Sequence, residues 1–290
     1  KIAFLGTGLM GGPMAKNLAV SGFHVAAWNR TPSKTAFLKE FEVEIEISAA
    51  EAVKNADVII SMLSDGDASH EMQNDEKLRR NFSPNCTWIE MGSIKPDEAR
   101  AHSTNLSDLN VNYLDAPVSG GTKGAENGSL AIMVGGDSAV FAKVEDAFKP
   151  LGRAVFVGPT GSGQLAKLAN QAIVAITIGA VAEATLLLEE GGADAGAVRD
   201  ALFGGFADST ILQQHGKRMS ERNFEPGGPS RLQLKDLRNI LAEAKALKID
   251  LPFSLSAHDR YTRLVKSLAG SELDHSALFV ELLDINGRKT

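Results

Sequence analysis

At 290 residues, 43% hydrophobic and 23% charged, the chain has ample material for a core and is long for a single one, so two domains are expected. A net charge of −6 with no basic run argues against nucleic acid and anionic membrane as partners. The single Cys86 excludes an internal disulfide, and the chain opens on an apolar strand rather than a signal peptide, so a reducing, cytoplasmic setting is expected.

Ile2 to Leu5 reads as a buried strand. Gly6-Thr7-Gly8-Leu9-Met10-Gly11 follows at once, then an amphipathic helix from Gly12 to Val20, ended by Gly22, and a second strand from Phe23 to Trp28. A G-x-G-x-x-G between strand and helix, with a second strand at this distance, marks a dinucleotide-binding turn. The first glycine permits the tight turn, the second admits a pyrophosphate to the backbone, and the third lets the helix pack on the strand. The free N–H groups of the helix then face the anion. Gly6, Gly8, Leu9, Met10 and Gly11 are thus candidate cofactor residues; a glycine-rich turn without a ligand is the alternative.

The second strand ends in Asn29-Arg30-Thr31, where an NAD-preferring site usually carries Asp or Glu. A carboxylate would repel a 2′-phosphate, whereas Arg30 offers it a bidentate, charge-assisted contact. NADP(H) is therefore expected over NAD(H), with an ordinary loop arginine as the alternative.

Ser48 is placed to cap a short helix from Ala49 to Asn55. Asp57 to Leu63 is a near-continuous apolar run, as a parallel strand buried on both faces requires, and Thr87 to Glu90 is another strand. Ligands of open αβ sheets bind beyond the carboxyl ends of the strands, which puts Leu63, Ser64 and Ser93 on the nicotinamide side. Ser93, followed by Pro96-Asp97-Glu98, also reads as a helix start.

Asn112 to Asp115 is a strand, followed by Ala116-Pro117-Val118-Ser119-Gly120-Gly121. Successive N–H groups in such a turn form an anion cradle that suits a carboxylate substrate; a plain loop is the alternative. Ala131 to Val134 and Ala154 to Val157 complete the sheet, with a helix from Ser138 to Leu151 between them.

Gly158 to Gly163 breaks the pattern and leads into a helix that is apolar on every side from Leu165 to Leu188, which reads as a buried helix. Its longest apolar run, from Ala172 to Glu183, is too short for a membrane span. Lys167, Asn170 and Gln171 share one face of its first turns. A lysine held there loses solvation, which lowers its pKa and suits it to proton transfer; a solvated surface lysine is the alternative.

Beyond it only helical patterns follow: Ala195 to Phe203, Ser209 to Ser220, a helix from Ser230 or Arg231 carrying Lys235 and Asp236, one opened by Pro252, and a last one, Ser276 to Ile285, capped by Asp274. By position alone Lys235 reads as solvated. None of the six His residues is paired at metal-ligand spacing, so no metal is expected.

Four blocks resemble the β-hydroxyacid dehydrogenases, a family that includes 3-hydroxyisobutyrate dehydrogenase and tartronate semialdehyde reductase. They are Gly6 to Leu18, Asp115 to Gly121, Gly161 to Gln171 and Lys235-Asp236-Leu237, in order and spread over essentially the whole chain. The resemblance implies an α/β Rossmann-type domain with a doubly wound, mostly parallel sheet, residues 1–160. An all-α domain, residues 161–290, follows by way of the long helix, with the active site between the two. It implies that Lys167 is the catalytic acid/base and that Asn170 orients it. Ser119, Gly120 and Gly121 would hold a substrate carboxylate, Lys235 would serve substrate and cofactor, and Ser93 would stand on the nicotinamide side. Gln171 departs from the family's usual second Asn, and Ser64 from its usual Pro.

The expected chemistry is transfer of hydride from NADPH to the aldehyde of a small oxo acid, with Lys167 supplying the proton. Candidate substrates are tartronate semialdehyde, succinic semialdehyde and glyoxylate. The rival readings are a 3-hydroxyisobutyrate dehydrogenase, an imine reductase (a family that usually lacks the lysine) and a non-catalytic NADPH-binding protein. Because the long helix is more apolar than one small domain readily covers, a homodimer or homotetramer is expected.

Overall fold

Strand β1 (Ile2–Leu5) is buried along its whole length and lies at the centre of the sheet. We describe residues 1–289 from a computed structural model. After β1 come α1 (Gly11–Val20), β2 (Val25–Trp28), β3 (Glu44–Ile45), α2 (Ala49–Val53), β4 (Val58–Ser61), α3 (Gly66–Asn74), α4 (Glu76–Arg79) and β5 (Thr87–Glu90). Then follow α5 (Pro96–Ser107), β6 (Asn112–Asp115), β7 (Val118–Ser119), α6 (Gly121–Asn127), β8 (Leu130–Gly136), α7 (Ser138–Phe148) and β9 (Gly152–Gly158).

Strands β3, β2, β1, β4, β5 and β6 are parallel neighbours in that order. The chain leaves β1 toward β2 on one side and returns to β4 on the other, which opens a crevice beyond the carboxyl end of β1. Ile2 stands opposite both Val25 and Val58, and alternate residues face opposite cores. Phe4, Ile60, Ile89 and Leu114 enter one, while Leu5, Ile59, Trp88 and Tyr113 enter the other. Each such side chain contributes about 1.5–3 kcal/mol by burial, which is why these runs are apolar throughout.

The mostly parallel sheet agrees with the sequence; its far end does not follow the parallel pattern. β8 runs antiparallel to β6 and β7, and β9 is parallel to β8. Helix α7 stops at Phe148, short of Leu151; Pro150, two residues on, has no N–H with which to continue the helical ladder. Ser93 does not start a helix: α5 is capped at Lys95, whose backbone N–H donates to Glu98 at 2.8 Å. Ser48 does cap α2, accepting from the Glu51 N–H. Helices α3 and α4 escaped the sequence reading, although Asp65 and Asp75 cap them by accepting from the N–H three residues on.

Helix α8 (Ser162–Glu190) is followed by α9 (Ala195–Leu202), α10 (Lys217–Ser220), α11 (Ser230–Leu247), α12 (Pro252–Ser267) and α13 (Leu278–Ile285). The chain divides into two compact units, Lys1–Lys167 and Leu168–Thr290, so the boundary falls inside α8 rather than ahead of it. The helix's first turn is hydrogen-bonded into the first unit through Asp115 and Gln164, which accounts for the shift.

In the second unit Ala175, Ile178, Val181 and Ala182 of α8 pack with Leu234 and Leu237 of α11, Tyr261 of α12 and Phe279 of α13. Only that side of α8 is covered. Ile173 is 64% and Leu187 74% exposed, and 28% of the most apolar stretch is buried, so the fully buried helix expected from sequence is not what this chain alone builds. By length and composition α8 is also long enough to cross a membrane, contrary to the expectation from the Ala172 to Glu183 run, because the helix extends well past that run at both ends.

Candidate cofactor and substrate site

The turn after β1 shows what each glycine does. Gly6 has φ +98, and a Cβ there would lie 2.4 Å from the Met62 carbonyl oxygen. A Cβ on Gly11 would lie 2.0 Å from the Gly6 carbonyl oxygen. Gly8 meets nothing within 4 Å. The chain's own packing thus requires the first and third glycines, while the second keeps an approach open. The first turn of α1 carries no acidic residue and no side-chain cap, so its N–H groups suit an anion.

That turn borders a cavity of about 720 Å³ in the first unit. Gly6, Gly8, Leu9, Met10, Gly11, Asn29, Arg30, Thr31, Leu63 and Ser64 all line it. Ser93 is not among its lining residues; it lies half-buried between β5 and α5. Ile47, Ala49, Met72 and Leu78 supply an apolar wall, the kind of surface a flat aromatic base covers.

Lys34, which the sequence reading missed, lines the same cavity as Arg30 and Thr31. Its spacing of four residues from Arg30 was the available signal. Asn29 has a part that the strand-end pattern did not reveal. Its Oδ1 accepts from Thr7 N–H at 3.0 Å, and its Nδ2 donates to the Thr31 carbonyl at 3.0 Å. One amide therefore fastens the end of β2 to the glycine turn.

The cradle after β7 is open. Gly120 (φ +140) and Gly121 (φ +62) are exposed, and a side chain on either would be strained. Ser119 is half-buried beside them. Nothing lies within 4 Å of a Cβ placed on Gly121.

Two buried carboxyls support these loops. Asp115 accepts from the Gly161 and Gln164 N–H groups, both at 2.8 Å, and so caps the start of α8. Burial raises its carboxyl above the usual range, against the pull of those donors. Glu90, at the end of β5, accepts from the Gly92 N–H at 3.1 Å and from the Ser69 hydroxyl. Burial pushes it up to about 7.

The Glu90 shift predicts how stability depends on pH. The folded state holds this proton more tightly than the unfolded chain, whose carboxyl titrates near 4.5. Stability is therefore full below that value and falls as the pH rises toward 7, by an amount on the order of 3 kcal/mol. Glu90→Gln keeps the acceptor for Gly92 without a charge. Its melting temperature is expected to approach that of the wild type at about pH 5 and to exceed it at about pH 8. Equal differences at both values would exclude a titrating Glu90.

Lys167 is half-buried on α8, where the first unit ends. In the second unit Asn170 Nδ2 donates to Gln171 Oε1 at 2.9 Å, and Gln171 Nε2 donates to Asp236 Oδ2 at 2.6 Å. The longer amide at 171 thus reaches α11 beside the half-buried Lys235 while orienting Asn170. His215, Asp274 and His275 also come together there, which their spacing did not show. Asp274 accepts from Gly227 and Gly228 N–H on one oxygen and from Ser276 N–H and Oγ on the other. Arg218 lies 3.8 Å away. Both oxygens are saturated beside a cation, so the cluster reads as a clamp on the 227–228 loop.

The fold and site define a nicotinamide dinucleotide-binding oxidoreductase. The family model for the NAD binding domain of 6-phosphogluconate dehydrogenase matches residues 1–158. A second, for the NAD-binding region of NADP-dependent 3-hydroxyisobutyrate dehydrogenase, matches residues 161–282. The chain is 42% identical to 2-hydroxy-3-oxopropionate reductase of Escherichia coli (strain K12), over 98% of this chain and 97% of that one. It is 30% identical to glyoxylate/succinic semialdehyde reductase 1 of Arabidopsis thaliana, over 96% of each. The solved structure of Mycobacterium tuberculosis 3-hydroxyisobutyrate dehydrogenase with L-serine superposes with a TM-score of 0.88 at 30% identity, covering 97% of this chain and 98% of that one. The chain belongs to the β-hydroxyacid dehydrogenase family.

Proposed function

We propose that this enzyme uses NADPH, in preference to NADH, to reduce the aldehyde of a small oxo acid reversibly to the hydroxy acid. The substrate class is that of 2-hydroxy-3-oxopropionate, succinic semialdehyde and glyoxylate. The observation that carries the reading is the basic end of the cavity, where Arg30 and Lys34 stand beside an open glycine turn. The likeness to a 2-hydroxy-3-oxopropionate reductase along nearly the whole chain supports the substrate class.

The bound cofactor supplies hydride; the chain supplies position and charge. The N–H groups of α1 and the Gly8 backbone take the diphosphate, and Arg30, Thr31 and Lys34 take the 2′-phosphate. Leu63, Ser64 and Ser93 border the nicotinamide end. Ser119, Gly120 and Gly121 hold the substrate carboxylate, which sets the distance and face of the aldehyde. Lys167 Nζ polarises the aldehyde oxygen and gives it a proton as it becomes a hydroxyl, and takes that proton back in oxidation. Asn170 orients the lysine, and Lys235 contributes a second positive charge toward substrate and cofactor.

The enzyme is read as a cytoplasmic homodimer or homotetramer, because a second copy would cover Ile173, Leu187 and their neighbours on α8. Neither nucleic acid nor membrane is a partner in this reading.

A panel decides among the rivals: tartronate semialdehyde, succinic semialdehyde and glyoxylate reduced with NADPH and with NADH, and 3-hydroxyisobutyrate oxidised with NADP and with NAD. The highest kcat/KM is expected for one of the reductions with NADPH. Preferred oxidation of 3-hydroxyisobutyrate with NAD would overturn both substrate and cofactor assignments.

A further inference from the structure

Gln164 stands three residues before Lys167 in the first turns of α8 and is 1% exposed. It was not singled out by any sequence pattern. Its Nε2 donates to the Gly92 carbonyl at 2.8 Å, and its Oε1 accepts from the Ile94 N–H at 3.1 Å. One amide thereby grips the backbone on both sides of Ser93. The other end of the residue is equally fixed, because its own N–H donates to Asp115 at 2.8 Å.

The segment it grips is rigid from beneath as well. Gly92 N–H donates to Glu90, and a Cβ on Gly92 would lie 2.9 Å from Glu90 Oε1 and 3.1 Å from the Leu63 carbonyl oxygen. The helix turn is seated just as closely. A Cβ on Gly163 would lie 2.4 Å from the carbonyl oxygens of both Asp115 and Met133. All of these residues belong to the first unit.

We propose that Gln164 is a positioning residue, whose amide locks the Gly92–Ile94 backbone to the helical turn that carries Lys167. It thereby sets the distance between the nicotinamide side and the proton donor. This rests on the reading of Ser93 and Lys167 given above. Both hydrogen bonds are buried, so a side chain lacking them leaves a carbonyl and an N–H without partners and lets the two segments separate. A displacement near 1 Å is enough to cost about 100-fold in the chemical step.

Two variants test this. Gln164→Leu removes both bonds at similar volume, and Gln164→Asn keeps the amide but is one carbon too short to span both partners. If the leucine variant fails to fold, the asparagine variant carries the test. In the cofactor-free protein, amide hydrogen exchange over residues 92–94 is expected to speed up at least about tenfold, while residues 6–12 at the glycine turn exchange as in wild type. With NADPH and the best oxo acid, kcat is expected to fall by about 10–100-fold, with the NADPH dissociation constant within about twofold of wild type. The isotope effect from deuterated NADPH should increase as hydride transfer becomes limiting.

Unchanged exchange over residues 92–94 would overturn the proposal. So would a loss confined to NADPH affinity, or one that follows only the fraction of folded protein. If wild type itself reduces none of the oxo acids, the functional reading fails while the exchange result still decides the lock.

Discussion

Lys167→Ala is expected to lower kcat by about 10²–10⁴-fold while leaving the NADPH dissociation constant close to wild type, the range a positioned proton donor contributes. The fold should tolerate the change. The start of α8 is held by Asp115 and by the Gln164 amide, and alanine is the best helix former. Lys167→Arg separates the two roles proposed for the lysine. A guanidinium still polarises the aldehyde oxygen but does not give up its proton near neutral pH. The arginine variant should therefore retain more activity than the alanine variant in reduction, and little in oxidation, where the group must first be neutral. Turnover of the alanine variant within about tenfold of wild type would remove Lys167 from the acid/base role.

Arg30→Ala combined with Lys34→Ala is expected to raise the KM for NADPH by about 10–100-fold and that for NADH by no more than about twofold. Charge-assisted hydrogen bonds to a phosphate contribute about 1.5–3 kcal/mol, which is the source of that range. Both side chains are exposed at the cavity wall, so their loss leaves no buried group without a partner and should not lower stability. The NADPH KM of the wild type should also rise with ionic strength, and that of the double variant much less. Parallel weakening of both cofactors would assign Arg30 and Lys34 to the diphosphate or to the fold, and would reopen the choice between NADP and NAD.

Much of this protein was legible in its sequence because the deciding physics is local. The turn from β1 to α1 needs glycine for reasons confined to a few residues of backbone and their immediate contacts. The buried parallel strands announce themselves as apolar runs because both faces are covered, and Ser48 marks a helix start through a bond to an N–H close in the chain. Asp274 caps the 3-10 turn His275–Ala277 that precedes α13 rather than α13 itself. The order of the blocks was enough to identify the family.

The tertiary structure alone decided the rest, because those contacts join residues that no local pattern relates. Asp115 meets Gly161 across 46 residues, and Gln164 meets Gly92 across 72. Such pairs bring buried polar groups together, and they explain why an unremarkable glutamine is fixed within one turn of the lysine. Helix α8 shows the same limit from the apolar side. Its composition determined that it would be hydrophobic all round, but how much of it one chain covers depends on how many neighbours pack against it, and here a single side is covered. The sequence by itself determined the glycine turn, the strands and the chemical types available at the site. Only the folded chain determined that Lys34 shares a cavity wall with Arg30, that Gln171 reaches Asp236, and that Glu90, Gln164 and Asp115 hold the loops in place.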